Sequence, residues 1–291
     1  MTTTPTGILL GTYTPGTPQW EQARAGLCIT ATEIAAVVGL SPWSNPFVLW
    51  HKKSGRPVPP FVVTPQVEWG NRLEDAVAKK WQDEHEGYCV ESTGTWKHLD
   101  REWQRATPDR ILTTDRGNTV ELLEVKTSPT GEGWEAGIPL HYLCQIQWQL
   151  DTLGLTRCHV AVLIAGHDYR EYLVEYDEDD AYTLRSAAEE FLADVRNGQR
   201  PGIDNSDATY NTIRAQAARF TADDVEVPGP IASRYEVTHQ QLKAADAEHT
   251  HAKSLLLDAL GGGRNALHLG RRIAYRTAHE DGTTRSLQPA R

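Results

Sequence analysis

Along residues 66–86 the apolar positions Trp69, Leu73, Val77 and Trp81 recur at four-residue spacing, which predicts an amphipathic helix. Glu74 sits beside that stripe, and its neighbour Asp75 is placed toward water. Residues 110–114 are rich in β-formers and read as a strand, and 119–126 read as its return strand. Between them Asp115-Arg116-Gly117-Asn118 supplies turn chemistry, because Gly and Asn tolerate positive φ. Residues 88–95 predict another strand, with 96–107 crossing to the hairpin. Residues 139–153 predict a helix that carries Gln145 and Gln149 on one face. A buried strand at 158–165 and an alternating one at 170–176 follow, then an amphipathic helix at 179–197, ended by Asn197-Gly198. Strands flanked by helices in this order define an α/β core with a mixed sheet.

The flanking segments differ in character. Residues 1–19 repeat Thr, Pro and Gly and read as an extended arm. Thr30 or Thr32 can cap a helix with Glu33 in its first turn, and Ser41-Pro42 ends that region. A second short helix follows at 47–53. From 205 the chain turns polar, then predicts a long helix at 235–260, closed by three glycines, and a hairpin at 267–277 and 283–287. The expected domains are therefore an arm at 1–19, a core at 20–204 and a C-terminal extension at 205–291, made of linker, long helix and basic hairpin. From Arg264 onward six arginines face two acids, so this end lies on DNA, serves oligomer or partner contacts, or packs as a plain appendage.

Composition narrows the class. A net charge of −10 argues against general nucleic-acid binding, since phosphate contacts need Lys and Arg. It leaves room for a nuclease, whose local field matters more than the total. Hydrophobic content of 39% and charged content of 23% are ordinary for a soluble globular protein. The apolar runs are too short for a bilayer and the start lacks a secretion signal, so a cytoplasmic protein is expected. Cys28, Cys89, Cys144 and Cys158 lack zinc or cluster spacing and read as small buried hydrophobes.

The chemistry lies in two short motifs. Pro108-Asp109 is followed, fifteen residues further on, by Glu124-Val125-Lys126. Strand alternation puts Glu124 and Lys126 on one face and Val125 on the other, with Asp109 at the open end of the hairpin. Two carboxylates and an ammonium can then converge, which is the minimal equipment for metal-assisted phosphodiester hydrolysis. Carboxylates suit Mg²⁺, a hard cation that takes oxygen ligands, and the Val125 carbonyl offers a further oxygen. Lys126 could hold the attacking water or stabilise charge on the phosphate. An isolated Glu-x-Lys is otherwise a solvated ion pair on a strand face.

Further segments carry a resemblance. They are Thr30-Ala31-Thr32-Glu33-Ile34, Gly39-Leu40-Ser41-Pro42-Trp43, Asn45-Pro46-Phe47-Val48-Leu49-Trp50, Trp69-Gly70-Asn71-Arg72-Leu73-Glu74 and Tyr142-Leu143-Cys144-Gln145-Ile146-Gln147-Trp148-Gln149. With the two motifs, they make residues 20–203 resemble the YqaJ-type viral recombinase, lambda-exonuclease-like family of the PD-(D/E)xK nuclease superfamily. Arg110 stands where that family usually has Gly, which is acceptable if the chain runs directly into β conformation. The Arg110 side chain reads as a surface arginine or a phosphate contact.

The resemblance implies a restriction-endonuclease-like fold, with a mixed central sheet flanked by helices. It makes Asp109, Glu124, Lys126 and Gln145 catalytic, and Glu74, Asp109, Glu124 and Val125 metal ligands. Gln145 would orient the scissile phosphate or the lysine. Arg24 and Thr32 would hold a terminal phosphate. The implied activity is Mg²⁺-dependent, with Mn²⁺ as substitute: metal-activated water resects the 5′-ended strand of duplex DNA ends. The implied partners are a single-strand annealing protein and further copies in a trimeric ring, in a bacterial host with phage or prophage origin. A structure-specific endonuclease and a non-catalytic DNA-binding recombination subunit are the alternatives. Arg170 and His98 read as structural. Trp43 and Trp50 read as core aromatics, with stacking on unpaired bases as the second reading.

Overall fold

A hairpin with one face against a helix and the other against a second layer must alternate its apolar residues between two cores, and this chain does so. The computed structural model describes residues 4–114, 120–216 and 223–290, so the turn read at 115–118 lies outside the described residues. The chain divides into two compact units, Met1–Arg219 and Phe220–Arg291.

The first unit holds strands β1 (Gly7–Gly11), β2 (Ile29–Thr30), β3 (Tyr88–Ser92), β4 (Thr95–His98), β5 (Gln104–Ala106), β6 (Arg110–Thr114), β7 (Val120–Ser128), β8 (Arg157–Ile164) and β9 (Asp168–Glu175). Its helices are α1 (Pro18–Arg24), α2 (Ala31–Val37), α3 (Pro46–Lys53), α4 (Pro65–Glu84), α5 (Leu140–Leu153), α6 (Glu178–Asn197) and α7 (Asp207–Gln216). The main sheet has the order β3-β6-β7-β8-β9. Its pairs are antiparallel except β7 with β8, so the sheet is mixed, as expected. The stretch read as an extended arm supplies β1, which pairs with β4 in a second sheet of order β1-β4-β5-β2. The crossing segment likewise contains β4 and β5.

One face of the main sheet presents Leu112, Leu123, Val125 and Ala161 to Val77, Ala78 and Trp81 of α4. The other presents Ile111, Leu122, Val160 and Val162 to Ile146, Leu150 and Leu153 of α5 and to Leu184, Ala188 and Leu192 of α6. Each fully buried side chain of this size contributes about 1.5–3 kcal/mol of transfer free energy. The α4 stripe reaches the core only at Val77 and Trp81, while Trp69 at its start is exposed. Thr30 is the N-cap of α2: its amide donates to Glu33 Oε2 at 3.1 Å, and Lys53 and Lys52 pair with the same carboxylate at 2.8 and 3.0 Å. Cys28 and Cys158 are buried as expected, but Cys89 is exposed. His98 accepts from the amides of Asp100 and Arg101, and Arg170 pairs with Asp168, which gives both structural roles.

The second unit contains α8 (Gly229–Leu260), β10 (Asn265–His268), β11 (Arg271–Ala278) and β12 (Thr284–Pro289), with the strands forming one antiparallel sheet. The single strand read at 267–277 is broken by a two-residue turn in which Leu269 (φ 49) and Gly270 (φ 75) both lie in the left-handed region. That is the turn that matches the right-handed twist of paired strands.

Candidate active site

The site forms where β6 stops. Arg110 pairs with Leu123, and no further residue of β6 continues along β7. Pro108 has no N–H to donate and cannot extend the ladder. The Asp109 side chain takes over instead: its Oδ2 accepts the Val125 amide at 2.8 Å. This bond joins the two motifs. The Val125 side chain packs toward α4, so Glu124 and Lys126 face α5.

Glu124 is 1% exposed, and both of its oxygens are occupied. Oε1 accepts from Lys126 Nζ and Gln145 Nε2, and Oε2 accepts from Gln149 Nε2 at 2.9 Å. Gln145 and Gln149 lie one helical turn apart, which brings both amides to the same carboxylate. Lys126 is largely buried, with its ammonium 4.9 Å from the Tyr142 ring centroid. Burial alone would lower its pKa, but attraction to Glu124 and Asp109 prevails and raises it. Lys126 is therefore a fixed cation. The Asp109 pKa is raised as well, with the opposite effect on charge: burial, then repulsion from Glu124, push its carboxyl up to about 8, with Glu74 adding and Lys126 opposing.

Arg110 corrects the sequence reading. Its side chain is buried, not displayed on the surface, and it serves the protein rather than a phosphate. Its Nη1 donates to Glu74 Oε1 at 2.6 Å and to the Asp109 carbonyl at 2.7 Å, while Nη2 pairs with the exposed Asp75. Three acceptors satisfy a fork-shaped cation that would otherwise be costly to bury. The backbone enters β conformation directly at Arg110, as expected. Glu74 is thereby tied to the strand end that carries Asp109.

Arg24 and Thr32 come together as well. Arg24 Nη2 donates to Thr32 Oγ1 at 2.7 Å and to Thr30 Oγ1 at 3.5 Å, and Nη1 reaches Thr107 Oγ1 at 3.5 Å. The guanidinium lies over the Trp20 ring, 4.2 Å from its centroid. Thr107 is two residues from Asp109, so this cluster abuts the carboxylates. Trp50 is buried in the core, but Trp43 is 68% exposed, against the expectation of core packing.

Thr30, Thr107, Tyr142 and Gln149 carry contacts that the motif reading did not assign. For Gln149 a signal existed: two glutamines at i and i+4 in an otherwise apolar helix imply a shared buried acceptor. For Thr30 and Thr107 the Arg24 contact depends on the tertiary fold, and the sequence carries no such signal.

Among the described residues, no three His, Cys, Asp or Glu side chains form a ready ligand cluster. Glu74, Asp109 and Glu124 each hold a protein partner instead. The donor set still suits a hard divalent cation, because its atoms are oxygens. Burial and the Glu124 carboxylate disfavour charge on Asp109, a cost that a cation bound there would offset.

A mixed sheet flanked by helices, with carboxylates and a lysine at the end of two adjacent strands, places the first unit in the nuclease-fold class. Residues 19–157 match the model of the YqaJ-like viral recombinase domain. The chain is 28% identical over 196 residues to the uncharacterized protein YqaJ of Bacillus subtilis (strain 168), covering 65% of this chain and 60% of that relative. The match thus spans less than two thirds of the relative's length. The fold is similar to an alkaline exonuclease from Laribacter hongkongensis, at 19% identity and a TM-score of 0.50 over 63% of this chain and 94% of that one. The same exonuclease in complex with dAMP gives 20% identity and a TM-score of 0.51 with the same coverage.

Proposed function

We propose that this chain is a divalent-metal-dependent DNA exonuclease of phage-type recombination that resects the 5′-ended strand of linear duplex DNA. The Asp109–Val125 bond carries the reading, because it gathers Asp109, Glu124 and Lys126 at one strand end. Asp109, Glu124 and the Val125 carbonyl, with Glu74 beside them, would hold Mg²⁺ or Mn²⁺. Such an ion supplies Lewis acidity toward water and charge to offset the phosphate. Lys126, kept cationic by its two carboxylate neighbours, stabilises negative charge that builds on the phosphate. Gln145 and Gln149 hold the Glu124 carboxylate in place. Arg24, Thr30, Thr32 and Thr107 offer a cation and hydroxyls to a terminal phosphate next to Asp109, which favours cleavage at ends.

The exposed 3′-ended strand would pass to a single-strand annealing protein, and a ring of copies, as in a trimer, would hold the enzyme on its product. The setting proposed is the cytoplasm of a bacterial host. Among the described residues no helix is long and apolar enough to cross a membrane. The deciding experiment is digestion of linear duplex labelled separately at each 5′ and 3′ end, with Mg²⁺ or EDTA, beside a closed circle. The expected result is Mg²⁺-dependent release of 5′ nucleotides from the linear form alone. Cutting of the circle would replace this reading with an endonuclease, and binding without hydrolysis with an assembly subunit. Sedimentation as a strict monomer at working concentration would remove the ring.

A further inference from the structure

The exposed indole of Trp43 stands beside Tyr142, the ring that packs on Lys126. Its turn is pinned, because Ser41 Oγ accepts the Trp43 amide at 3.2 Å and the Ser44 amide at 3.3 Å. The indole meets His141 at a centroid distance of 4.8 Å and an interplanar angle of 86°, and Tyr142 at 6.0 Å. The edge-on contact with His141 supports one side of the ring and leaves it 68% exposed. Tyr142 is in turn the ring under Lys126 Nζ, and Trp134 backs it at 5.7 Å. One continuous chain of contacts therefore runs from the catalytic lysine through Tyr142 to Trp43. A second runs from Asp109 through its neighbour Thr107 to Arg24 and Thr32. The two chains leave the site from different residues and end in different chemistry, one in donors for a phosphate and one in a bare aromatic face.

A nucleic-acid strand offers both ligands in alternation, a charged phosphate and a flat base. We infer that Trp43 is a substrate-positioning residue, and that the base adjoining the scissile phosphate, on the side away from the terminal phosphate, stacks on its outer face. Stacking on an aromatic ring is tolerant of base identity, because every base has a π-face. The contact thus fits an enzyme that must advance along any sequence. It also orients the nucleotide relative to Lys126 through the tilted Trp43–Tyr142 contact. The inference rests on the nuclease reading given above.

Two measurements separate this inference from that reading. The first is steady-state digestion of linear duplex by wild type, Trp43→Ala and Trp43→Phe. Trp43→Ala is expected to raise KM roughly tenfold, the size of one lost base–aromatic stack, with kcat within about twofold. Trp43→Phe is expected to recover most of the loss. The second needs no hydrolysis: 2-aminopurine is placed at the second nucleotide from the 5′ end, and its fluorescence is followed on binding in EDTA. Quenching by wild type and by Trp43→Phe, but not by Trp43→Ala, is expected. Wild-type KM and quenching in Trp43→Ala would overturn the inference. So would equal losses in Trp43→Ala and Trp43→Phe, which would assign the indole to the structure of the turn. Should Trp43→Ala not fold, Trp43→Leu keeps an apolar contact without a π-face and is read in the same way. Failure of wild type to hydrolyse DNA would sink the nuclease reading, while quenching in EDTA still reports on the stack.

Discussion

At the scale of single residues, the site holds charge against the preference of the fold. Burial and the neighbouring Glu124 raise the Asp109 pKa from its ordinary value to about 8. A carboxyl with a raised folded pKa binds its proton more tightly in the native state. Its contribution to stability is therefore greatest below the ordinary pKa and declines as pH rises toward about 8. Asp109→Asn keeps an oxygen for the Val125 amide and removes the charge. In EDTA at pH 9 the variant is expected to melt above wild type, with the gap narrower at pH 5 and nuclease activity lost throughout. Thermal unfolding at the two pH values checks this. Mg²⁺ should restore wild type toward the variant's stability, because the ion binds the native state only. Lys126→Met, with similar bulk and no charge, is expected to lower kcat by about 10²–10³-fold, the size of a lost transition-state stabiliser. Single-turnover digestion reads that loss directly. Arg110 shows why some of this was illegible in the sequence. Its identity departs from the family pattern, and its partner Glu74 lies 36 residues away, so only the fold reveals that the two form a buried pair.

At the scale of elements, legibility followed periodicity. The hairpin of β6 and β7, α5 and the β8–β9 pair were readable because their apolar residues repeat at two or at three to four, and each buries a continuous face. β1, β4, β5 and β10 were not, because strands of three to five residues carry too few alternations to stand out from a loop. In α4 the stripe was real, but its periodicity cannot say where the core ends, so Trp69 was misplaced. Two elements yield predictions. Burial raises the Glu33 pKa, but Lys53 and Lys52 outweigh it and hold the carboxyl at about 2. A depressed carboxyl stabilises above its ordinary pKa and ceases to do so as pH falls toward about 2. Glu33→Gln is thus expected to cost up to about 3 kcal/mol at pH 7 and to match wild type near pH 2, as measured by urea titration. In the second unit, Leu269 is 93% exposed and held at φ 49, where a branched side chain is strained. Leu269→Asn should stabilise that unit by about 1 kcal/mol, seen as a higher urea midpoint with an unchanged slope.

At the scale of the molecule, all residues assigned to the site lie in Met1–Arg219. A chain ending after residue 219 is expected to fold and to keep metal-dependent cleavage. Circular dichroism melting and digestion of linear duplex check the two halves of that statement, and loss of cleavage from a folded truncate would place Phe220–Arg291 in the working enzyme. The early end of β6 has a further consequence for how copies of the molecule meet one another. Beyond Leu123, β7 pairs only with β8, and its other edge holds the Asp109 carboxylate where a neighbouring strand would run. An unpaired strand edge is a template for cross-molecular pairing. Here the Asp109 side chain occupies the first bonding position along that edge and adds a polar group that a docking strand would have to desolvate. The side chain proposed to serve hydrolysis is thus also expected to guard solubility. Asp109→Ala, which leaves that bonding position open where Asp109→Asn fills it, is expected to aggregate more readily than Asp109→Asn, as read by light scattering.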